Sequence, residues 1–478
     1  MMKTKNPRNK TKLGWFASAA LLGTLATQAQ AQSSDALIDK LVEKGILTAN
    51  EAKDLRDEAD NDFKTAFQTK TGMPDWVTGY RFSGDFRGRF DQITSDNTAN
   101  IDRVRLRYRL RVGLAVNMTD NLEAGFRLAS GSPQAIGSSA AVTGSPLSNN
   151  TTLQDNFSKK MIYIDTAYGK WTPVAGGNWL VSATIGKMDN PFSFTPMVFD
   201  PDLTPEGAVL QASYAVNDKQ SLSATAAAFV LDEESSTTSD PLLYGGQILW
   251  NAKWTDKLSS TLGAGMFAIV SADQLTPSNV PYVNQGNTRI PVLINNPNGT
   301  QTTVNELRYN YTPMIADASV TYTLESFPFY NGAFPIKVTG EYMHNAGAPK
   351  DNQGYWTGIT FGKASGKKTW DISYRYEYLG ADAWYDQLVD DDNGAYYAAT
   401  PSYSSASSYS AYTATAGWIA GTNIKGHLIK FNYCITDSFT FTVSCFLNEL
   451  INRPPQATPK VDLNSAAIHV MADLMWRF

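Results

Sequence analysis

The stretch RVRLRYRLRVGLAV, Arg103–Val116, decides the fold. Its five arginines, at 103, 105, 107, 109 and 111, take every second position, and the residues between them are apolar or aromatic. A helix would scatter these guanidinium groups around its circumference, whereas a strand puts all five on one face. The other face is Val104, Leu106, Tyr108, Leu110, Val112, Leu114 and Val116. Turned to lipid, each arginine near the midplane would cost about 2–4 kcal/mol, and five roughly 10–20. No marginally stable fold survives that. The Val/Leu/Tyr face must therefore meet lipid and the arginine face water. Strands can cross a bilayer only where every backbone group pairs with a neighbour, that is, in a closed barrel.

The N-terminus fits an exported chain. A basic region, MMKTKNPRNKTK, precedes the apolar run LGWFASAALLGTLA and an Ala29-x-Ala31 cleavage site. Residues 1–31 read as a secretory signal peptide. Its loss removes five basic and no acidic residues, moving the net charge from −5 to −10. The remainder contains no apolar run long enough for a membrane helix, which takes about 18 residues or more. Two cysteines, Cys434 and Cys445, cannot form a disulfide framework and fall on opposite strand faces, so both are expected to be free. The aromatic content of 12 % suits a barrel with interfacial girdles.

Beyond about residue 70 the chain alternates between two-faced segments and turns. Sixteen strands are expected, at 78–91, 100–117, 121–131, 158–170, 179–188, 206–216, 220–231, 242–253, 258–270, 313–325, 335–346, 354–363, 369–380, 422–435, 438–449 and 464–478. In the first, Tyr80, Phe82, Phe86 and Phe90 oppose Arg81, Arg87 and Arg89. Odd connections run long (131–158, 188–206, 270–313, 380–422), while even ones are tight, such as 117–121 and 435–438. Loops sorted by side, with an even strand count, describe an all-β, 16-stranded antiparallel transmembrane barrel over 73–478. A barrel of that size leaves an aqueous channel. Arg81, Arg87, Arg89, Arg103, Arg105, Arg107, Arg109 and Arg111 then form a basic cluster on the pore wall.

The last segment, AAIHVMADLMWRF, alternates to a terminal Phe478. This resembles the C-terminal signature read by the barrel-assembly machinery. The whole mature chain resembles a bacterial outer-membrane porin of the "putative porin" type, on the signal peptide, LIDKLVEKGILTANEAKDL (37–55), the arginine-rich second strand, GKMDNPF (186–192) and Phe478. The resemblance implies an outer-membrane channel for passive diffusion of small hydrophilic solutes, set in lipid and lipopolysaccharide, and a homotrimer. It also implies that the third long loop, 188–206, folds inward as a constriction, setting Asp189, Asp200, Asp202 and Glu206 against the arginine wall. Four prolines in that loop depart from the enterobacterial pattern, and the alternative is that these acids are solvated on an outer surface.

Residues 32–72 are expected to form a short periplasmic helical or coiled-coil segment. Leu37, Leu41 and Val42 recur at helical spacing, and Thr48-x-x-Glu51 is a capping box for a second helix carrying Ala52, Leu55, Ala59 and Phe63. Its mixed polar face suits a solvated helix tethered below the barrel, its apolar stripe suits self-association under a trimer, and cell-wall binding is a third option without a motif. No enzyme is expected: of three histidines, His427 faces lipid, His344 has no evident acid partner, and His469 reads as a pore-lining imidazole. The acidic run VDDDN (389–393) suits a solvated outer loop better than a calcium site. No cofactor, metal or nucleic-acid motif appears. Two alternatives stay open: an anion- or phosphate-selective channel using the arginines, and a surface adhesin or receptor acting through long loops such as the Tyr/Ser-rich 396–412.

Overall fold

Sixteen antiparallel strands build one sheet that closes on itself. The computed structural model describes Ala52, Leu55 and residues 74–97, 101–136, 142–235, 238–282, 285–295, 299–397, 417–452 and 464–478. The strands are β1 Val77–Thr94, β2 Arg103–Met118, β3 Leu122–Ser130, β4 Ile162–Gly176, β5 Trp179–Lys187, β6 Glu206–Asn217, β7 Gln220–Val230 and β8 Leu242–Lys253. They continue as β9 Leu258–Val270, β10 Pro313–Leu324, β11 Phe334–Asn345, β12 Gln353–Gly362, β13 Trp370–Leu379, β14 Ile424–Cys434, β15 Phe439–Leu450 and β16 Ala467–Arg477. Each pairs with its chain neighbours, and β16 returns to β1 with Asp85 opposite Arg477 and Phe86 opposite Trp476. The expected signal peptide, the expected helices and most of the Tyr/Ser-rich run lie outside the described residues, Ala52 and Leu55 aside.

All sixteen expected strands are present. The largest difference is β4, expected at 158–170 and found at Ile162–Gly176. Asp155, Asn156 and Phe157 adopt positive φ, which holds the chain in a turn and delays the strand. A register shift opposite Arg127/Leu128 and another between Trp171 and Val174 then carry it further than simple alternation indicates.

The closure depends on a glycine. Gly84 donates to the Phe478 carbonyl at 2.8 Å and accepts from the Phe478 amide at 3.0 Å. A Cβ on Gly84 would stand 2.4 Å from the Arg111 carbonyl oxygen and 2.6 Å from the Phe478 ring, so only glycine fits under that ring. Phe82 packs beside it, ring centroids 6.1 Å apart.

Hydrophobicity is reversed relative to a water-soluble domain. Outward residues such as Phe82, Ile185, Leu210 and Met314 are exposed, whereas Asp91, Arg109 and Glu341 are buried within the barrel. Aromatic pairs mark the end with the short turns: Trp179 with Tyr214 (4.7 Å), Trp250 with Trp254 (5.7 Å) and Phe439 with Trp476 (4.5 Å). Amphipathic rings of this kind sit at membrane interfaces.

The eight long connections, L1 to L8, lie at the other end: 95–102, 131–161, 188–205, 231–241, 271–312, 346–352, 380–423 and 451–466. L3 and L7 enter the barrel together. Phe192 and Phe199 of L3 meet Phe267 of β9 edge-on at 4.9 and 5.2 Å, and Trp384 of L7 lies 5.5 Å from the same ring. Trp384 is fully buried and donates its indole N–H to the Val198 carbonyl at 2.8 Å. Gly245 on β8 makes room for this cluster, since a Cβ there would strike the Phe267 ring at 2.4 Å. A polar knot ties L7 to L5: the Asn287 amide donates to the Ala381 and Trp384 carbonyls, and Asp382 accepts from Thr288 and Tyr311. Apolar packing thus fills the barrel beside β6–β12, and the space beside β1, β2 and β13–β16 is lined by charge.

Candidate functional site

Strand parity places the odd residues of β1 and β2 inside the barrel, and β1 contributes acids as well as arginines. Asp85 accepts from Arg109 Nε (3.0 Å) and Arg111 Nε (2.7 Å). Asp91, fully buried, accepts from Arg105 at 2.8 Å and stands 3.4 Å from Arg107, whose other nitrogen reaches Ser148. Arg89 makes a forked pair with Asp473 of β16 at 2.8 and 3.0 Å. Arg87 donates to Asn150 of L2 at 2.8 Å and stands 3.9 Å from Asp473. Arg81 and Arg103 are exposed near the N-terminal ends of their antiparallel strands, and so at opposite ends of the barrel. The wall is therefore a zipper of alternating charges, because unpaired guanidinium groups on neighbouring strands would repel each other.

The four L3 acids separate into two groups. Asp202 approaches the wall, 2.9 Å from Arg109 and 3.6 Å from Arg111. Asp200 is buried and accepts from the backbone amides of Asp202 (2.7 Å) and Asp391 (3.0 Å). Asp189, largely exposed, pairs with Arg127 of β3 at 2.6 Å. Glu206 opens β6, where it pairs with Lys187 at 2.9 Å, also exposed.

The acidic run 389–393 is not a solvated outer loop. Asp392 lies 3.1 Å from Arg89, Asp390 lies 3.1 Å from Arg375 of β13, and His469 Nδ1 donates to the Asp392 carbonyl at 2.9 Å. His469 Nε2 is 3.5 Å from Asp91. These L7 acids face the arginines alongside Asp200 and Asp202. The sequence carries one signal for this: Trp384, Tyr385, Leu388 and Val389 lead into the three aspartates, and apolar residues in that number seek burial.

Carboxylate oxygens of Asp200, Asp390 and Asp391 all lie within 4.8 Å of one another. Burial, reinforced by the neighbouring carboxylates, holds the Asp200 and Asp391 carboxyls well above their usual range. Burial also pushes on Asp392, but Arg89, His469, Arg87 and Arg107 outweigh it and hold that carboxyl below the usual range.

Between these loop acids and the β13–β16 wall lies a cavity of about 410 Å³. Arg87, Arg89, Arg109, Arg375, Lys430 and Arg477 line it, with Asp200, Asp202, Asp371, Asp390, Asp391, Asp392 and Asp473. Thr440, Thr442 and Ser444 add hydroxyls, and Phe446 and Met471 add apolar surface. The charges nearly cancel in number, yet are distributed unevenly, with the loop acids clustered on one side. Such an arrangement orients water and penalises apolar solutes.

A family model described as "Putative porin" matches residues 92–467. A search of curated protein sequences gave no match. Solved structures that the chain is similar to include OprB of Pseudomonas putida at high pH (10 % identity, 84 % of this chain and 94 % of that chain covered, TM-score 0.47). Another is OmpF of Salmonella typhi in complex with daunomycin (8 %, 84 % and 97 %, 0.43). A third is a triple mutant of the Rhodopseudomonas blastica porin (9 %, 84 % and 100 %, 0.39).

Proposed function

The chain belongs to the putative porin family, and from that premise we propose that it lets ions and small hydrophilic solutes diffuse through the slit between the joined loops L3 and L7 and the charged wall of β1, β2 and β13–β16. The observation that carries this reading is the closed barrel, apolar outside and charged inside. Porins are outer-membrane diffusion channels, so the short turns face the periplasm and L1–L8 the exterior. In this reading Arg87, Arg89, Arg105, Arg107, Arg109 and Arg111 line the passage, and Asp200 and Asp202 narrow it. Arg81 and Arg103 stand at its two mouths, and Asp189 and Glu206 brace the ends of L3.

The pairing of the arginines with Asp85, Asp91, Asp202, Asp392 and Asp473 supports weak ion preference over a bare anion ladder. Phe478 serves as the assembly signal, residues 32–72 as a periplasmic segment that helps hold a homotrimer, and outer-membrane lipid and lipopolysaccharide surround the barrel. Transport without catalysis is the activity proposed. Liposome swelling tests it: vesicles carrying the purified chain should swell in small sugars at a rate falling with sugar size. Vesicles that stay impermeable to all of them would overturn the proposal.

A further inference from the structure

Two opposite charges facing the cavity have no partner. Asp391 donates its backbone amide to Asp200, but among the described residues its carboxylate accepts no hydrogen bond and forms no ion pair. Lys430, pointing inward from the middle of β14, likewise makes no hydrogen bond or ion pair. They line one cavity of about 410 Å³ yet do not meet. Beside Lys430, the Arg375 side chain is nine-tenths buried and keeps its Nε without a partner while its Nη2 holds Asp390. A charge left unmatched in a semi-enclosed space is costly unless something complementary arrives.

We infer that this cavity is a subsite for small zwitterions, solutes carrying an ammonium and a carboxylate a few ångströms apart. The ammonium goes to Asp391 and Asp200, which already crowd negative charge, and the carboxylate goes to Lys430 and the free Nε of Arg375. A solute with one charge satisfies one side and leaves the other unmatched. A neutral polyol gains only the hydroxyls of Thr440, Thr442 and Ser444. Phe446 and Met471 leave room for a short apolar side chain between the two ends. The inference rests on the diffusion-channel reading and names the solute class that the channel holds longest.

The test is a titration of single-channel potassium chloride current in a planar bilayer with EDTA present, using L-alanine, glycerol, lactate and ethylamine as probes. Alanine should reduce the current along a saturating curve, and lactate and ethylamine should need about tenfold more for half-block, one charge-assisted contact being lost. Asp391→Asn and Lys430→Gln should each raise the alanine half-block concentration about tenfold, while Lys430→Arg should restore it. All variants are first checked for heat-modifiable migration, which reports a closed barrel. Alanine behaving like glycerol, or variants with an unchanged half-block, would overturn the zwitterion subsite and leave the channel reading standing. No stepwise current at all would overturn both.

Discussion

Asp202 of L3 stands 2.9 Å from Arg109 of β2, joining residues on a loop and on the wall. The contact fixes two things together: where L3 lies across the barrel, and how much of the arginine charge a passing ion meets. Removing Asp202 leaves Arg109 and Arg111 sharing Asp85 alone. Asp202→Asn should shift the reversal potential under a salt gradient toward anion preference, most strongly at about 0.01–0.1 M salt, where screening is weakest. An unchanged potential at low salt would show that the pair does not govern permeation.

Replacing Arg105, Arg107 and Arg109 together with Gln should act in the opposite direction, toward cation preference. It should also destabilise the barrel, because Asp91 is fully buried and would keep only His469 nearby. Breaking a buried pair costs about 3–5 kcal/mol. Urea unfolding of the refolded barrel measures this, and a stability equal to wild type would mean water reaches Asp91 freely.

Trp384→Ala should cost about 3–5 kcal/mol through the cavity it leaves. Because its indole holds the Val198 carbonyl, L3 should loosen, and the open-channel current should become larger and noisier. Trp384→Phe, which keeps one ring but loses the donor and part of the volume, should cause a smaller change. Quiet wild-type current in both variants would contradict this positioning of L3 by L7.

Asp200 and Asp391 titrate above the usual 3.8 because burial and neighbouring carboxylates disfavour their charge. Their folded-state pKa values are raised, so the stability they contribute is present at low pH and lost as pH rises through those values. The same protonation removes negative charge from the cavity. Cation preference should therefore fall as pH is lowered, and Asp391→Asn should flatten that response. An Asp391→Asn channel with the wild-type pH profile would assign it to other groups.

The Gly84–Phe478 seam joins the two ends of the sheet, and the assembly role proposed for Phe478 can be tested there. Deleting Phe478 should lower outer-membrane yield, and Gly84→Ala should lower it too, since the added Cβ has no room beneath the terminal ring. Membrane fractions probed for heat-modifiable protein decide this, and equal yields would remove Phe478 from the assembly pathway.

The barrel was legible because a strand repeats every two residues. Arg103–Arg111 show their face without knowledge of any other segment, and a one-residue slip would put charge into lipid. Loop placement has no such period. L7 enters the barrel through contacts such as Trp384 with Val198, 186 positions apart in the chain, and nothing local in VDDDN records them. The same limit applies to the acids on the wall. Asp85 and Asp91 are visible on the inward face of β1, but their bonds to Arg105, Arg109 and Arg111 follow from the β1–β2 register, which alternation leaves open.

The most direct test of the account is single-channel conductance before and after blocking the slit. Asn150→Cys, made in a Cys434→Ala, Cys445→Ala background, places one thiol on the cavity wall beside Arg87. Purified barrels in a planar bilayer should give stepwise currents that fall sharply when a bulky thiol reagent reacts. Steps unchanged after complete modification would place the conducting path elsewhere and contradict the account.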